Sequence, residues 1–275
     1  MATAVRQRPD HPTSLPNPQA TVWLDVQLPT VEENLALDEA LLELAHEGLA
    51  VTACVRTWMA AEPVVVLGSS SRGNEEIDLA ACEADGVRIV RRPSGGATVV
   101  LGPGCLMWSV VTPHPTATPS IESIHAAMLG PLAAGLSREL SEAKLPSAGR
   151  RVERRGTSDL AMIDTAASAD TTERKVSGNA LRVRRHGVLY HGTLLDAFDL
   201  NMVNRVLRHP PREPDYRGRR SHTDFIANLG LGRPALERIV RTAFHATIAS
   251  AEWPRDRVAR LARDRYAASD WTGRL

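Results

Sequence analysis

Strand-like segments of this chain occur in adjacent groups, and helical segments are inserted between the groups instead of following every strand. The apolar and β-branched runs that predict strands are TVWLDV (21–26), TACVRTW (52–58), PVVVLG (63–68), GVRIVRR (86–92), ATVVL (97–101), CLMWSVV (105–111), DLAMID (159–164), RKVSGNALRV (174–183) and GVLYHGTLL (187–195). A doubly wound sheet requires strands and helices to alternate strictly. The grouping therefore predicts an α+β fold.

End signals mark the helical segments. Thr30 and Glu33 have capping-box spacing before an apolar stripe, and Gly48 is placed to end the same helix in the left-handed conformation. A longer amphipathic segment starts near Ser120, and Pro234 occupies a favoured first position of a C-terminal helix. Helices are thus expected before, between and after the strand groups.

Composition narrows the class of protein. A chain of 275 residues with a formal charge of +1 is long enough for one large domain and does not carry the basic excess of many nucleic-acid or membrane-surface proteins. No apolar window reaches membrane-helix length and no signal peptide is recognisable, so a cytoplasmic protein is expected. The basic runs at 150–155 and 182–186 are each consistent with a solvated face or with binding of phosphate or a partner.

Cysteine usage excludes two kinds of scaffold. Cys54, Cys82 and Cys105 are odd in number and show no CxxC spacing. This pattern predicts neither a disulfide framework nor a zinc site.

The stretch RRPSGGATV (91–99) places two glycines between two predicted strands. Arg91 and Arg92 supply cations, Ser94 a hydroxyl, and Gly95 and Gly96 bare backbone N–H groups, a combination that suits an anionic ligand. A plain hairpin turn is the alternative. Neither a P-loop nor a Rossmann fingerprint is present.

Two later strands also carry polar residues beside glycine. Lys175 stands just ahead of the small residues Ser177 and Gly178, and His191 precedes Gly192 in an apolar strand. Small residues let a ligand lie against backbone. By type alone, a solvated lysine and a structural histidine are the more usual interpretations.

Taken together, these stretches resemble the lipoate–protein ligase family, part of the biotin and lipoate protein ligase group. The segments that carry the resemblance are LALDEALL (35–42), Arg56-x-Trp58 followed by PVVVLG, RRPSGGATV (91–99), RRGTSDLAM (154–162), RKVSGNALRV (174–183), LYHGTLL (189–195) and PPREPDYRGRRSHTDFIANL (210–229). Two departures stand out: Ala97 follows Gly95-Gly96 where the family usually has a third glycine, and Leu101-Gly102 replaces a usual His-Asp.

The resemblance implies a fold and a domain organisation. It implies a catalytic domain over residues 21–230, built on a mainly antiparallel sheet with flanking helices, similar to class II aminoacyl-tRNA synthetases and biotin ligases. Residues 1–20, rich in proline and polar residues, are expected to be a disordered tail. Residues 231–275 leave room only for helices, without the full accessory domain of the larger bacterial ligases.

The resemblance also implies an activity. Such an enzyme transfers a lipoyl or octanoyl group, through an acyl-adenylate made with ATP and Mg²⁺, to a lysine of a lipoyl domain. The acceptors would be lipoyl domains of 2-oxoacid dehydrogenase complexes or the glycine cleavage H protein. Because the C-terminal part is short, either a separate accessory subunit completes adenylation or the chain transfers preformed acyl groups.

Site residues follow from the same resemblance. Lys175 corresponds to the family's essential catalytic lysine, and Asp159 to an aspartate that contacts magnesium or the adenylate, although a strand-opening aspartate is as readily a cap. The residues expected to bind the acyl-adenylate are Arg92, Ser94, Gly95, Gly96, Ser177, Gly178, Asn179, Ala180, His191, Gly192 and Thr193. The protein itself is expected to supply no complete metal site.

Two alternatives remain open. A related branch moves octanoyl groups from acyl carrier protein through a cysteine thioester, but residues 145–174 contain no cysteine. Cys105 is then the fallback nucleophile, although a buried structural role is more usual for such a cysteine. The second alternative is a non-catalytic protein that binds the acyl-adenylate.

Overall fold

The main sheet has eight strands and forms the centre of the molecule. The computed structural model describes residues 21–114, 119–142, 149–164 and 172–274, so the predicted N-terminal tail lies outside the described residues. The strands in spatial order are β11 (Ala246–Ser250), β1 (Thr21–Leu24), β2 (Ala53–Met59), β6 (Cys105–Pro113), β10 (Gly187–Leu195), β9 (Glu173–Arg184), β8 (Asp159–Asp164) and β7 (Arg150–Arg155). All neighbours from β2 to β7 in this order pair antiparallel, whereas β1 pairs parallel with both β2 and β11.

A second, three-stranded sheet presents the glycine-containing loop. Its central strand is β3 (Val64–Leu67), flanked by β4 (Arg88–Arg91) in parallel and β5 (Val99–Leu101) in antiparallel orientation. Because β4 and β5 lie on opposite sides of β3, the hairpin-turn interpretation of Gly95-Gly96 is wrong. Residues 92–98 form a loop that crosses from one edge of the small sheet to the other.

Helices cover both faces of the main sheet. They are α1 (Val31–His46), α2 (Gly73–Glu76), α3 (Leu79–Ala84), α4 (Ile121–Glu142), α5 (Leu200–Val206), α6 (His222–Phe225), α7 (Arg233–Ala243), α8 (Arg255–Leu261) and α9 (Ser269–Thr272). The predicted capping box of α1 is confirmed, since Thr30 and Glu33 bond to each other's backbone N–H, and Gly48 follows with φ of 75°. Within the described ranges, none of these helices is long and apolar enough to cross a membrane.

Two apolar clusters lie on opposite faces of the main sheet. One joins the sheet to α1 and the small sheet, and the other joins it to α4 and α7. Successive strand residues point to opposite faces, so Met107 enters the first cluster and the fully buried Trp108 the second. The loop at 92–98 is thereby held above the first face.

Two strands were not predicted from the sequence. Four of the six residues in β7 are arginines, which is unusual for a strand and concealed it. β11 lies within 231–275, where only helices were expected, and it joins the main sheet at β1. Short, exposed edge strands carry too little apolar alternation to be recognised.

Candidate active site

A cavity of about 350 Å³ opens where the 92–98 loop faces strands β9 and β10. The sequence-predicted residues that line it are Arg92, Gly96, Asp159, Lys175, Gly178, Asn179, Ala180, His191, Gly192 and Thr193. Ser94, Gly95 and Ser177 are not among the lining residues, and Ser94 and Ser177 are buried behind the wall. Residues 157–158 and 212–214 complete the rim. The fold thus brings together three motifs that are distant in sequence.

Strand register places the polar residues side by side. In the β9–β10 pair, His191 lies opposite Ala180 and Gly192 opposite Asn179. A Cβ built on Gly192 would overlap Asn179 Oδ1, so the glycine makes room for the Asn179 side chain. The Asn179 Nδ2 group donates to Ser158 O at 2.7 Å, which ties β9 to the rim.

Lys175 is held by a carboxylate at the cavity wall. Its Nζ lies 2.7 Å from Asp159 Oδ1, and the Tyr216 hydroxyl donates to Asp159 Oδ2 at 2.9 Å. The Lys175 side chain is 26% exposed, so it remains accessible to a ligand. Burial, with Asp159 alongside, raises the pKa of Tyr216 and keeps its hydroxyl protonated as a donor.

Tyr216 was not predicted as a site residue. The only sequence signal for it is its position in the matched segment 210–229. It follows the rim residues 212–214 and belongs to a short 3-10 turn, Asp215–Arg217. Because this turn is irregular and has no apolar period, the contact with Asp159 is visible only in the folded chain.

Arg92 directs most of its donors into its own loop. Its Nε donates to Ser94 Oγ at 3.1 Å, its NH2 group to Gly95 O at 2.6 Å and Ala97 O at 2.9 Å, and its NH1 group to Val66 O at 3.2 Å. Burial lowers the pKa of Arg92 to about 10, which leaves it charged at neutral pH. Arg92 thus lines the cavity while its donors shape the loop, and its role in binding the acyl-adenylate stays a prediction.

A buried network of polar side chains lies between the cavity and α1. Ser94 Oγ and His191 Nε2 are 2.6 Å apart, and His191 Nδ1 lies 3.5 Å from Asp38 Oδ2. Asp38 Oδ1 accepts from Arg56 at 2.7 Å and from Ser109 at 2.9 Å. Burial alone would raise the pKa of Asp38, but the opposing effects of Arg56 and His191 bring it below its ordinary value.

This network of side chains links motifs that were not predicted to have a role in the site. Asp38 belongs to LALDEALL and Arg56 to the Arg-x-Trp segment, both of which carried the family resemblance. Ser94, His191 and Asp38 have the order of a nucleophilic triad, but Ser94 is only 1% exposed and does not line the cavity. The network therefore fixes the orientation of His191 and of the loop.

The cysteines lie away from the cavity. All three are within the described residues, and none of them lines it. Burial raises the pKa of Cys54 and of Cys105 to about 12, and burial also raises the pKa of Cys82. Since the thiolate is the reactive form, these shifts disfavour reaction of the three thiols at neutral pH.

A second cavity, of about 690 Å³, lies at the other end of α1 between the start of β2 and the ends of β6 and β9. Although it is larger, none of the predicted site residues lines it. Among the described residues, no three His, Cys, Asp or Glu side chains converge as a metal site. The smaller cavity, which contains Lys175, is the candidate active site.

Comparison with solved structures defines the class of fold. A bi-partite lipoate protein ligase from Thermoplasma acidophilum, from a structural analysis of an archaeal lipoylation system, superposes with a TM-score of 0.71 at 21% identity, covering 93% of this chain and 97% of that one. A lipoate-protein ligase A bound with ATP gives 0.69 at 22% identity, covering 93% and 99%. The predicted α+β fold, with a large mainly antiparallel sheet and flanking helices, is confirmed.

The sequence comparisons give the family. The family model described as the lipoyl protein ligase A/B catalytic domain matches residues 30–242, and this chain belongs to that family of acyl-transferring enzymes. An octanoyltransferase LipM of Symbiobacterium thermophilum is 33% identical over 228 residues, covering 80% of this chain and 81% of the relative. LipM of Carboxydothermus hydrogenoformans is 32% identical over 197 residues, covering 69% and 70%. The resemblance stated from the motifs is confirmed.

Proposed function

We propose that this protein transfers a lipoyl or octanoyl group to a lysine of a lipoyl domain through an acyl-adenylate. The observation that carries the proposal is a fixed cation, Lys175, in a cavity to which no cysteine of the described chain contributes. A thioester relay needs a nucleophilic thiolate, whereas adenylate chemistry needs charge stabilisation. The site offers the second.

The proposed reaction has two balanced steps. A carboxylate oxygen of the acyl acid bonds to the α-phosphorus of ATP, and pyrophosphate leaves. The neutral amine of the acceptor lysine then attacks the acyl carbonyl carbon, AMP leaves with the electron pair of the broken C–O bond, and the amine releases a proton to solvent. Lys175 Nζ stabilises the charge that develops on the phosphate and carbonyl oxygens in both steps.

The remaining lining residues bind and orient. Gly96 and Gly178 let backbone approach the ligand closely, and Lys175 Cε and Nζ would be only 2.9 Å from a Cβ at Gly178. The backbone N–H of Gly178 bonds to Thr193 Oγ1 at 3.1 Å, so Thr193 holds the β9 wall in place. We assign Thr193 and Asn179 to positioning of the strand against the ligand.

Asp159 is better suited to orienting Lys175 than to binding magnesium. Both of its carboxylate oxygens already have partners, one on Lys175 and one on Tyr216. Magnesium in nucleotide sites is commonly held by the phosphates with few protein carboxylates. We therefore expect Mg²⁺ to enter with ATP, and we keep Asp159 as the residue that fixes the direction of the ammonium.

The octanoyltransferase alternative rests on the names of the two LipM relatives described above. If this chain used an octanoyl thioester donor, acyl transfer would need either a cysteine or direct attack by the acceptor amine. The pKa of Cys105, raised to about 12 by burial, disfavours the first route. Direct attack remains compatible with the cavity, since Lys175 would stabilise the thioester oxyanion equally well.

A lipoyl domain is the proposed acceptor. The Thermoplasma study describes its ligase together with an E2 lipoyl domain, which supports this choice. The basic run at 150–155 is less available for an acidic partner than its sequence suggests, because its arginines pair with nearby carboxylates. Those pairs are Arg150–Asp164, Arg151–Glu153, Arg154–Glu122, Arg155–Glu153 and Arg155–Glu173.

A modification assay read by intact-protein mass spectrometry tests the proposal. Purified protein is mixed with a lipoyl domain and given lipoate or octanoate with Mg²⁺-ATP, synthetic octanoyl-AMP, or octanoyl acyl carrier protein. Product with octanoyl-AMP, with or without product from ATP, supports the adenylate route, and the ATP reaction shows whether an accessory subunit is needed. Product only from the carrier protein would refute it in favour of the thioester route, and no product from any donor would favour a binding protein.

A further inference from the structure

The C-terminal strap, residues 253–274, packs behind the 92–98 loop. It contains α8 and α9 and lies beyond residue 242, where the family-model match ends. Arg91 is the last residue of β4 and directly precedes Arg92, the first residue of the loop. Both its backbone and its side chain contact the C-terminal strap: Trp271 Nε1 donates to Arg91 O at 2.8 Å, and Arg91 Nε donates to Trp271 O at 3.1 Å.

Arg91 joins the C-terminal strap to a turn beside the site. Its guanidinium is 1% exposed, and its NH1 group donates to Gly68 O at 2.8 Å and Ser71 O at 2.7 Å. Its NH2 group donates to Thr272 O at 3.0 Å and Arg274 O at 2.7 Å. A buried cation satisfied by this many carbonyls is costly to disturb, because each acceptor would lose a charge-assisted partner.

The turn at 68–71 transmits this order to the cavity wall. Ser69 N donates to Ser94 O at 2.8 Å, and Ser71 Oγ donates to Gly96 O at 3.4 Å. A Cβ on Gly68 would overlap Gly96 O, so the turn and the loop are in backbone contact. Gly96 itself lines the cavity. A continuous path thus runs from the C-terminal strap to the ligand-facing backbone.

A second contact reaches the loop through Glu39 of α1. Arg265 and the Tyr266 hydroxyl, both in the C-terminal strap, bind the Glu39 carboxylate, the hydroxyl at 2.8 Å. Arg182 lies 3.7 Å from the same carboxylate and donates to Pro93 O at 2.8 Å. The C-terminal strap therefore reaches the loop by two routes, one through Arg91 and the turn at 68–71 and one through Glu39 and Arg182.

We propose that Arg91 is a positioning residue and that the C-terminal strap is a working part of the acyl-substrate site, which it pre-organises through the turn at 68–71. Arg91 does not touch the ligand. It holds the backbone of Gly96 and its neighbours in the shape that binds the acyl-adenylate, so that little conformational freedom remains to be lost on binding. The identity of the ligand in this inference rests on the proposed function, whereas the ordering of the loop by the C-terminal strap does not.

The test compares full-length variants by hydrogen exchange and by ligand binding. Trp271→Phe removes the indole N–H that donates to the backbone carbonyl oxygen of Arg91. It keeps an aromatic ring under Arg274, whose guanidinium carbon lies 3.9 Å from the ring centroid. Arg91→Met removes the cation. Arg263→Ala is the matched control in the same segment, since its 72% exposed side chain pairs with the adjacent Asp264. Binding is measured with a non-hydrolysable octanoyl sulfamoyl adenosine.

We expect faster exchange in segments 68–71 and 94–98 for Trp271→Phe and Arg91→Met, and unchanged exchange there for Arg263→Ala. For Trp271→Phe, which loses one buried hydrogen bond, the Kd of the probe should rise about tenfold, and for Arg91→Met, which loses several, it should rise further. In both variants KM for the acyl substrate should rise with kcat within about twofold. A merely structural role would lower kcat through loss of active protein and leave KM unchanged.

The inference is overturned if both segments exchange as in wild type in folded Trp271→Phe and Arg91→Met. Should Arg91→Met fail to fold, Trp271→Phe decides alone, because it leaves the buried cation in place. If wild-type protein neither binds the probe nor transfers acyl groups, the proposed function fails, and the exchange result still decides whether the C-terminal strap orders the loop.

Discussion

Replacing Gly192 by alanine tests whether the cavity wall depends on Asn179 crossing the face of β10. A Cβ at position 192 would overlap Asn179 Oδ1 and lie 2.7 Å from Asn179 Cγ and 3.0 Å from Gly178 O. The Asn179 side chain is not free to move aside, because it donates to Ser158 O at 2.7 Å and accepts from Ser177 Oγ at 3.1 Å. Alanine must therefore break these bonds or push β9 away.

The expected cost follows from those contacts. Two hydrogen bonds at about 1 kcal/mol each, with about 1–3 kcal/mol for overpacking, give a loss of about 3–5 kcal/mol in the free energy of unfolding. Domains of this kind are stable by about 5–15 kcal/mol, so Gly192→Ala should still fold at 25 °C if the wild-type stability exceeds about 5 kcal/mol. The rate of acyl transfer by the folded variant should also fall, because Asn179 and Gly192 both line the cavity.

Urea unfolding, followed by circular dichroism, and the mass-spectrometric transfer assay measure the two effects. Gly95→Ala is the matched control: a Cβ there meets nothing within 4 Å, and Gly95 is absent from the positive-φ glycines of the described chain. We expect Gly95→Ala to change the unfolding free energy by less than about 0.5 kcal/mol. The steric reasoning is refuted if Gly192→Ala is equally neutral, or if Gly95→Ala costs as much as Gly192→Ala.

Three further predictions follow from the site. Lys175→Ala should abolish transfer from octanoyl-AMP in the mass-spectrometric assay, with little change in melting temperature because the side chain is partly exposed; retained transfer would remove Lys175 from the catalytic role. Cys105→Ser should keep its activity per folded molecule, and total loss would favour a thioester mechanism. Burial would raise the pKa of Asp38, but Arg56 and His191 outweigh it and hold the pKa below 3.8, so its charge stabilises the fold above about pH 4 and this contribution is lost on acidification. Asp38→Asn should therefore flatten the fall of unfolding free energy as the pH decreases below about 4 in urea titrations, and an unchanged slope would contradict the assignment.

Local features of the fold could be predicted because short-range chemistry determines them. The capping box at Thr30 and Glu33 and the left-handed Gly48 depend on neighbours within a few residues, and both were predicted correctly. The strands from β8 to β10 carry enough apolar residues to be recognised, and the connection between β9 and β10 falls between the predicted segments 174–183 and 187–195. The local sequence was sufficient to predict these elements.

The motif residues were also evident, but their roles were less so. Lys175 and His191 were predicted from their motifs, and the structure places both at one cavity. Arg92, also predicted from its motif, lines the same cavity, while its donors bind the loop. Which way a side chain points across a loop depends on contacts such as Val66 O that belong to another strand.

The amino-acid sequence by itself determined the α+β class, because apolar periodicity, helix caps and glycines act over a few residues and leave a readable pattern. The family and the motif residues were recognised from the resemblance of several motifs to a known family. Tertiary structure alone decided that β4 and β5 flank β3, that Tyr216 meets Asp159, and that the C-terminal strap packs behind the 92–98 loop. These contacts join residues far apart in the chain, for example Arg91 and Trp271. Their free energy arises from burial and from pairing of buried polar groups, which exists only once the chain has folded.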